Sequence, residues 1–205
     1  MKRFDCCVQI DQNISMQDHT SSVCYVSFLE WRRLASIRLC LLKSTSARLV
    51  AALVTSRLDS YSSALASLPV EQIGWLQRVE NNTAQLVPKK HKQDHIMLTP
   101  LLNELHWLPV KFCCEYKVAS LASRLFDSTL PSYTLRMYNK LVQCSSDKLL
   151  KIPKHNLKSF SEHSFSFMAP SVWNSLPASL RNIPRISGFK TKLKTFLFKQ
   201  AFSQT

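Results

Sequence analysis

Two glycines, Gly74 and Gly188, are all that the 205 residues contain. A loop that cradles phosphate, or a dinucleotide-binding turn, needs several residues whose backbone approaches the ligand closely, so both are excluded. Tight two-residue hairpins also depend on glycine for positive φ, which disfavours a sheet-rich fold. An apolar share of 45% is enough for a buried core. The expectation is a mainly α-helical chain.

Apolar spacing gives the helices. From Ser21 or Ser22, the residues Val23, Phe28, Trp31, Leu34 and Ile37 recur at three-to-four intervals. A second helix is expected from a Ser44 or Thr45 cap to about Leu65, with Leu49, Leu53 and Ala64 marking its faces and Pro69 as its stop. The stretch VEQIGWLQRVENNTAQLV places Ile73, Leu76, Val79, Thr83 and Leu86 in one stripe. Together these predict an antiparallel helical bundle over 21–88. The preceding residues 1–20 include CCVQI, readable as a short strand.

Residues 89–99, in PKKHKQDHIMLTP, form a basic break. His91 and His95 have the spacing of a metal pair on a helix, but three lysines repel a cation and no third ligand is near. The stretch reads as an exposed loop, plain or phosphate-contacting. Residues 100–205 then predict a basic, α-rich region. Thr99-Pro100 has the form of a helix start, LLNEL ends at HWLP, and Pro109 opens the next helix. A further helix is expected after Pro131, over 131–143, and a short β-hairpin would pair KLLKIP with SFSFMAP. SVWNSLPASLRN reads as a short helix broken at Pro177. Ser187 would cap GFKTKLKTFLFKQAF, whose buried face is Phe189, Leu193, Phe196, Leu197 and Ala201.

Charge is uneven. Residues 1–100 carry 12 Lys/Arg and 8 Asp/Glu, whereas 101–205 carry 15 and 5. The excess points to a polyanionic partner, or more plainly to a solvated surface. The seven cysteines are odd in number, include two adjacent pairs and contain no CxxC, which fits reduced thiols in the cytoplasm or nucleus. MKRFDCCVQI lacks the form of a secretory signal, and no apolar run approaches the ~20 residues of a membrane span. The carboxylates are scattered, so neither a nucleophile–base pair nor a magnesium site stands out. No cofactor, metal or small-molecule substrate is expected. Trp107 and Trp173, each within a Trp-then-Leu-Pro phrase, are either base-stacking platforms or pins that fix helix ends to a core. Their neutral and acidic neighbours favour pins.

Several phrases occur in one order: SSVC at 21–24, ARLVAALVTSRLD at 47–59, LQRVENNTAQLV at 76–87, DHIMLTPLLNELHWLPV at 94–110, FSFMAPSVWNSLPASLRN at 165–182 and FKTKLKTFLFKQAF at 189–202. This series resembles the region downstream of the catalytic palm in jockey-like, LINE-type non-LTR retrotransposon reverse transcriptases. The chain departs from that pattern in having Cys7 in place of a glycine, Ser60 and Tyr61 in an altered RLDSYSS, and Met97 and Leu98 as insertions. It contains no Asp-Asp pair. The resemblance implies a thumb-like helical bundle and a carboxyl-terminal extension, with residues 1–20 as the remnant of the post-palm segment. It implies contact with the backbone of RNA or an RNA–DNA duplex, without the palm's polymerase chemistry. Arg32, Arg33, Lys89, Lys90, Lys92, Lys190, Lys192 and Lys194 are the residues expected to make that contact. The alternatives are a protein-interaction module, a relic with no nucleic-acid role, and a small thiol- or histidine-dependent enzyme.

Overall fold

A computed structural model describes residues 16–60, 68–88, 98–126, 148–153 and 165–203. The expected strand at CCVQI, the basic residues 89–97 and the helix at 131–143 lie outside these. The described residues are mainly helical. Contacts divide the chain into two compact units, Met1–Val110 and Lys111–Thr205.

In the first unit, α1 (Gln17–Ile37) starts earlier than the apolar spacing suggests. The cause is a polar turn: the Thr20 hydroxyl meets the Met16 carbonyl at 2.8 Å and Gln72 Oε1 at 3.3 Å, which holds the first turn ahead of the apolar stripe. A short 3₁₀ turn (Arg38–Cys40) leads to α2 (Lys43–Val50). Neither Ser44 nor Thr45 caps α2; Leu42 stands at the N-cap and its carbonyl accepts the Ser46 N–H at 2.9 Å. The continuous helix expected here passes instead through a π-helical stretch, Ala51–Thr55, into α3 (Ser56–Ser60). Of two adjacent apolar stripes, Val50 and Val54 are fully buried, while Leu49 and Leu53 pack at the margin.

Helix α4 (Val70–Ala84) opens on Pro69, whose carbonyl accepts the N–H groups of Gln72 and Ile73. Leu76, Val79, Thr83 and Leu86 are buried as the stripe requires, and Ile73 is half-buried. Leu34, Val50, Val54, Val79, Leu86 and Val87 form the core, with Trp31 and Trp107 packed against it. Trp31 Nε1 also donates to the Asn82 carbonyl at 2.9 Å, tying α1 to α4.

Helix α5 (Leu98–Glu104) buries Leu101 and Leu102 and begins before Thr99, so Thr99 is not its cap. Its end resolves the first Trp-Leu-Pro phrase. The Trp107 N–H bonds the Leu102 carbonyl at 2.9 Å and the His106 N–H bonds that of Asn103 at 3.1 Å, while His106 has φ 55°. This is the Schellman pattern, with His106 in the left-handed position usually given to glycine. Trp107 follows it and turns onto the core.

The second unit takes most of α6 (Val110–Ser123), continued by a 3₁₀ turn, Arg124–Phe126. The expected hairpin is not formed, because FSFMAP lies in α7 (Phe165–Ser175), where Ala169, Pro170 and Trp173 are buried at helical spacing. Residues 148–153 are not helical and are held by α7 through side chains. The Leu150 N–H donates to Asn174 Oδ1 at 3.0 Å, Asn174 Nδ2 donates to the Leu150 carbonyl at 2.8 Å, and Trp173 Nε1 donates to the Lys148 carbonyl at 2.7 Å. Asn174 thus bonds both the N–H and the carbonyl of Leu150.

Pro177 precedes α8 (Ala178–Arg181), and Arg185 rather than Ser187 stands at the N-cap of α9 (Ile186–Phe202). Phe189, Leu193 and Leu197 of α9 are buried. Trp173, 2% exposed, stacks on Phe126 with ring centres 5.1 Å apart and lies 5.4 Å from Phe189. A ring enclosed on both sides is a core pin, not a stacking platform for bases.

Candidate nucleic-acid interface

Helix α9 sets its cations by periodicity. At 3.6 residues per turn, Lys190 and Lys194 fall on one flank of the buried row, and Lys192 and Lys199 on the other. Thr191 and Thr195 occupy the outward face between them. Their hydroxyls point back along the helix, donating to the carbonyls of Ser187 and Thr191 at 3.1 Å each. Lys192, Lys194 and Lys199 are exposed, and Lys190 is half-buried at the edge of the core row. Lys190, Lys192 and Lys194, close in sequence, therefore do not form one cluster. They make two positive rails beside a neutral strip. Helix α9 carries no acid.

Arg32 and Arg33 project from the exposed side of α1, next to buried Leu34. Arg33 pairs with Glu30 at 2.8 Å, which halves the positive charge of that turn. Lys43, on α2, pairs with Glu104 of α5 at 3.1 Å, again on the surface. The first unit thus offsets much of its surface charge locally. Lys89, Lys90 and Lys92 lie outside the described residues.

The second unit holds a basic feature that sequence reading missed. A partly enclosed cavity of about 520 Å³ is lined by Ser123, Phe126, Lys148, Trp173, Arg181, Ile183, Pro184, Arg185, Ile186, Ser187 and Phe189. Among these described residues three are cationic and none carries a carboxylate. Arg181 is buried, and its Nε donates to the Leu176 carbonyl at 3.1 Å, which orients the guanidinium. Lys148 has φ 49°, a left-handed conformation held by the indole bond to its carbonyl. Only the basic excess of residues 101–205 hinted at this feature; that these residues share a cavity depends on α7 reaching back to 148–150.

Titratable groups with altered affinity lie in the interior. Glu80 on α4 is 6% exposed, and burial raises its carboxyl from an ordinary 4.5 to about 7. Bonds from Gln77 and the Val110 N–H oppose the rise, while Asp59 adds to it. Gln77 joins this group together: its Nε2 donates to Glu80 at 2.7 Å and to Asn81 at 3.0 Å, and its Oε1 accepts the Val110 N–H at 2.9 Å. Burial lowers the pKa of His19 and raises that of Glu115, the latter opposed by Lys111. Burial also pushes the Cys24 thiol up to about 11, which leaves it a poor nucleophile at neutral pH. Cys24, Cys40, Cys113 and Cys114 are thiols. Among the described residues, no three His, Cys, Asp or Glu are grouped to hold a metal, and no helix is long and apolar enough to cross a membrane.

Comparison of the chain with protein-family models, with curated proteins and with solved structures returns no match.

Proposed function

We propose that the chain binds the sugar–phosphate backbone of RNA or an RNA–DNA duplex without regard to sequence and carries out no polymerase chemistry itself. On this reading it corresponds to the thumb and carboxyl-terminal region of a LINE-type non-LTR reverse transcriptase, as its ordered phrases suggest. The observation that supports it best is the surface of α9: two lysine rails, a threonine strip between them, and an apolar row that fixes the helix to its own unit. Lysines on both sides of a neutral strip suit a strand of phosphates, which asks for positive charge but no base readout.

Binding driven by released counterions weakens linearly in log salt, by about 0.9 per phosphate contact on a duplex. A filter-binding titration against an RNA–DNA duplex at several salt concentrations should give that slope. Replacing Lys190, Lys192 and Lys194 together by Glu should flatten it and weaken binding. An affinity indifferent to salt, or to the triple change, removes the proposal.

An interaction module remains the second reading because of one observation. Leu39 and Leu42, close together beside α2, are 76% and 72% exposed. Loss of self-association or partner capture in a Leu39→Ser, Leu42→Ser variant, with nucleic-acid affinity unaltered, would favour it.

A further inference from the structure

Between α1 and α2 the chain turns a corner that keeps its apolar side chains in water. Ile37, Leu39 and Leu42 are 46%, 76% and 72% exposed, and the Cys40 thiol among them is exposed as well. The corner is ordered by backbone bonds. The Leu41 N–H donates to the Arg38 carbonyl at 3.2 Å, and the Ser46 N–H to the Leu42 carbonyl at 2.9 Å. Three branched apolar side chains within residues 37–42 thus face solvent on a fixed turn, where covering them is favourable.

The charges around the corner decide what covers it. One helical turn before Ile37, Arg33 is matched by Glu30 at 2.8 Å. Next to Leu42, Lys43 is matched by Glu104 at 3.1 Å, and both members of that pair are more than half exposed. The rim therefore carries both signs on each side of the apolar group. A polyanion or an anionic lipid surface gains little from cations already matched by acids. A second copy of the same surface, turned about a two-fold axis, sets each chain's cations against the other's acids. The corner also lies in the less charged unit: residues 1–110 carry 12 Lys/Arg against 9 Asp/Glu, and residues 111–205 carry 15 against 4. Two copies repel each other least when they meet there.

We propose that residues 37–42 form a homodimer contact, in which Ile37, Leu39 and Leu42 of one copy cover those of a second. This gives the exposed leucines one partner and does not depend on nucleic-acid binding by α9. Three side chains fall short of the roughly 800 Å² per partner of a standard interface, so the dimer is weak and depends on concentration. Arg32 and Arg38, at the same corner, add to the +14 of the whole chain, which opposes pairing. Salt screens that repulsion, so salt strengthens the dimer while it weakens duplex binding.

Sedimentation velocity on the full chain, free of nucleic acid, tests this. The dimer fraction should rise with protein concentration and with sodium chloride. Leu39→Ser together with Leu42→Ser should weaken the dimer about tenfold or more, with helical circular dichroism unchanged. Glu104→Lys, which sets like charges across the axis, should weaken it too. Cys40 serves as a reporter: a short bis-maleimide should link two copies, and Cys40→Ser should remove the link without altering sedimentation. The Lys190, Lys192 and Lys194 to Glu variant should still dimerise even where it abolishes duplex binding, so the two readings fail separately. A monomer at every concentration and salt overturns the proposal, as does a dimer indifferent to the leucine change, weakened by salt, or cross-linked equally well after Cys40→Ser. A monomer that instead binds phosphatidylserine vesicles through the same leucines assigns the corner to a lipid surface and overturns it as well.

Discussion

The two units solve the same packing problem with different materials. The first is aliphatic: Leu34, Val50, Val54, Val79, Leu86 and Val87 interlock, and no single side chain dominates. The second gathers around one indole, with Phe126 and Phe189 against its ring and the Lys148 carbonyl held by its nitrogen. Their charges differ as sharply. Residues 1–110 carry 12 Lys/Arg against 9 Asp/Glu, and residues 111–205 carry 15 against 4. A core shared among many aliphatic groups tolerates a buried acid such as Glu80. A core built on one aromatic anchor leaves room beside it for a cavity edged with cations. The lesson is that redundancy of packing and openness to ligands trade against each other.

The largest effect should come from the anchor. Trp173→Ala removes a fully enclosed ring, and large-to-small changes of that kind cost about 3–5 kcal/mol. It should raise hydrogen exchange across α7, α8 and α9 and leave α1 and α4 protected, a contrast that uniform loss of protection would break. Trp173→Phe keeps a ring but loses the Lys148 bond, so residues 148–153 should exchange faster while α9 stays slow.

Next in size is the buried acid of the first unit. Its carboxyl titrates near 7 when folded and near its ordinary 4.5 when unfolded. Below 4.5 both states hold the proton and the contribution to stability is complete. As pH rises through 7 the folded state alone must give up a proton from a buried site, and that contribution is lost. At about 1.4 kcal/mol per pH unit, the loss approaches ~3 kcal/mol. Glu80→Gln should therefore flatten the decline in urea-denaturation stability between pH 4.5 and 8 and leave the variant more stable at pH 8. An unchanged slope would show that the decline belongs to other groups.

How much of this was readable beforehand follows from the range of each interaction. The helices themselves were legible, because Leu76, Val79, Thr83 and Leu86, or Phe189, Leu193 and Leu197, announce a buried face locally. Their starts were not. Thr20 reaches Gln72 across α1 and α4, and Pro69 and Arg185 cap with backbone carbonyls that sequence does not display. The hairpin expectation failed for a related reason. Phe165 and Phe167 alternate as in a strand, but Ala169 and Trp173 prefer a helical face, and Asn174 supplies the strand-like bonds to Leu150. Lysine proximity in α9 was legible, and helical periodicity sets neighbours two apart on opposite flanks of the helix. The cavity was out of reach because it joins Ser123, Lys148, Arg181 and Arg185 only through folding.

A smaller effect separates the units' use of indole nitrogens. Trp31→Phe keeps most of the apolar packing and deletes the bond to the Asn82 carbonyl, which should cost about 1 kcal/mol in chemical denaturation. No measurable loss would mean that aliphatic contacts alone fix α1 on α4, which would sharpen the contrast with Trp173.

The smallest effects concern the glycines with which the chain is so sparing. Neither is used for positive φ: Gly74 lies within α4 and Gly188 near the start of α9. A Cβ at Gly74 meets nothing within 4 Å, and one at Gly188 makes an ordinary 3.6 Å contact with Ile183. Meanwhile His106 occupies the left-handed end of α5 that glycine would fill without steric cost. Glycine is present where a helix prefers alanine and absent where a helix end prefers glycine. Gly74→Ala should stabilise the first unit by about 0.5–1 kcal/mol, since an interior helical glycine costs that much. Gly188→Ala should gain less, because the first helical turn constrains the backbone less tightly than the interior. His106→Gly should relieve the strained cap and add to Gly74→Ala nearly independently, as distant sites do. If His106→Gly instead destabilises, the imidazole contributes more through its contacts than the left-handed backbone costs.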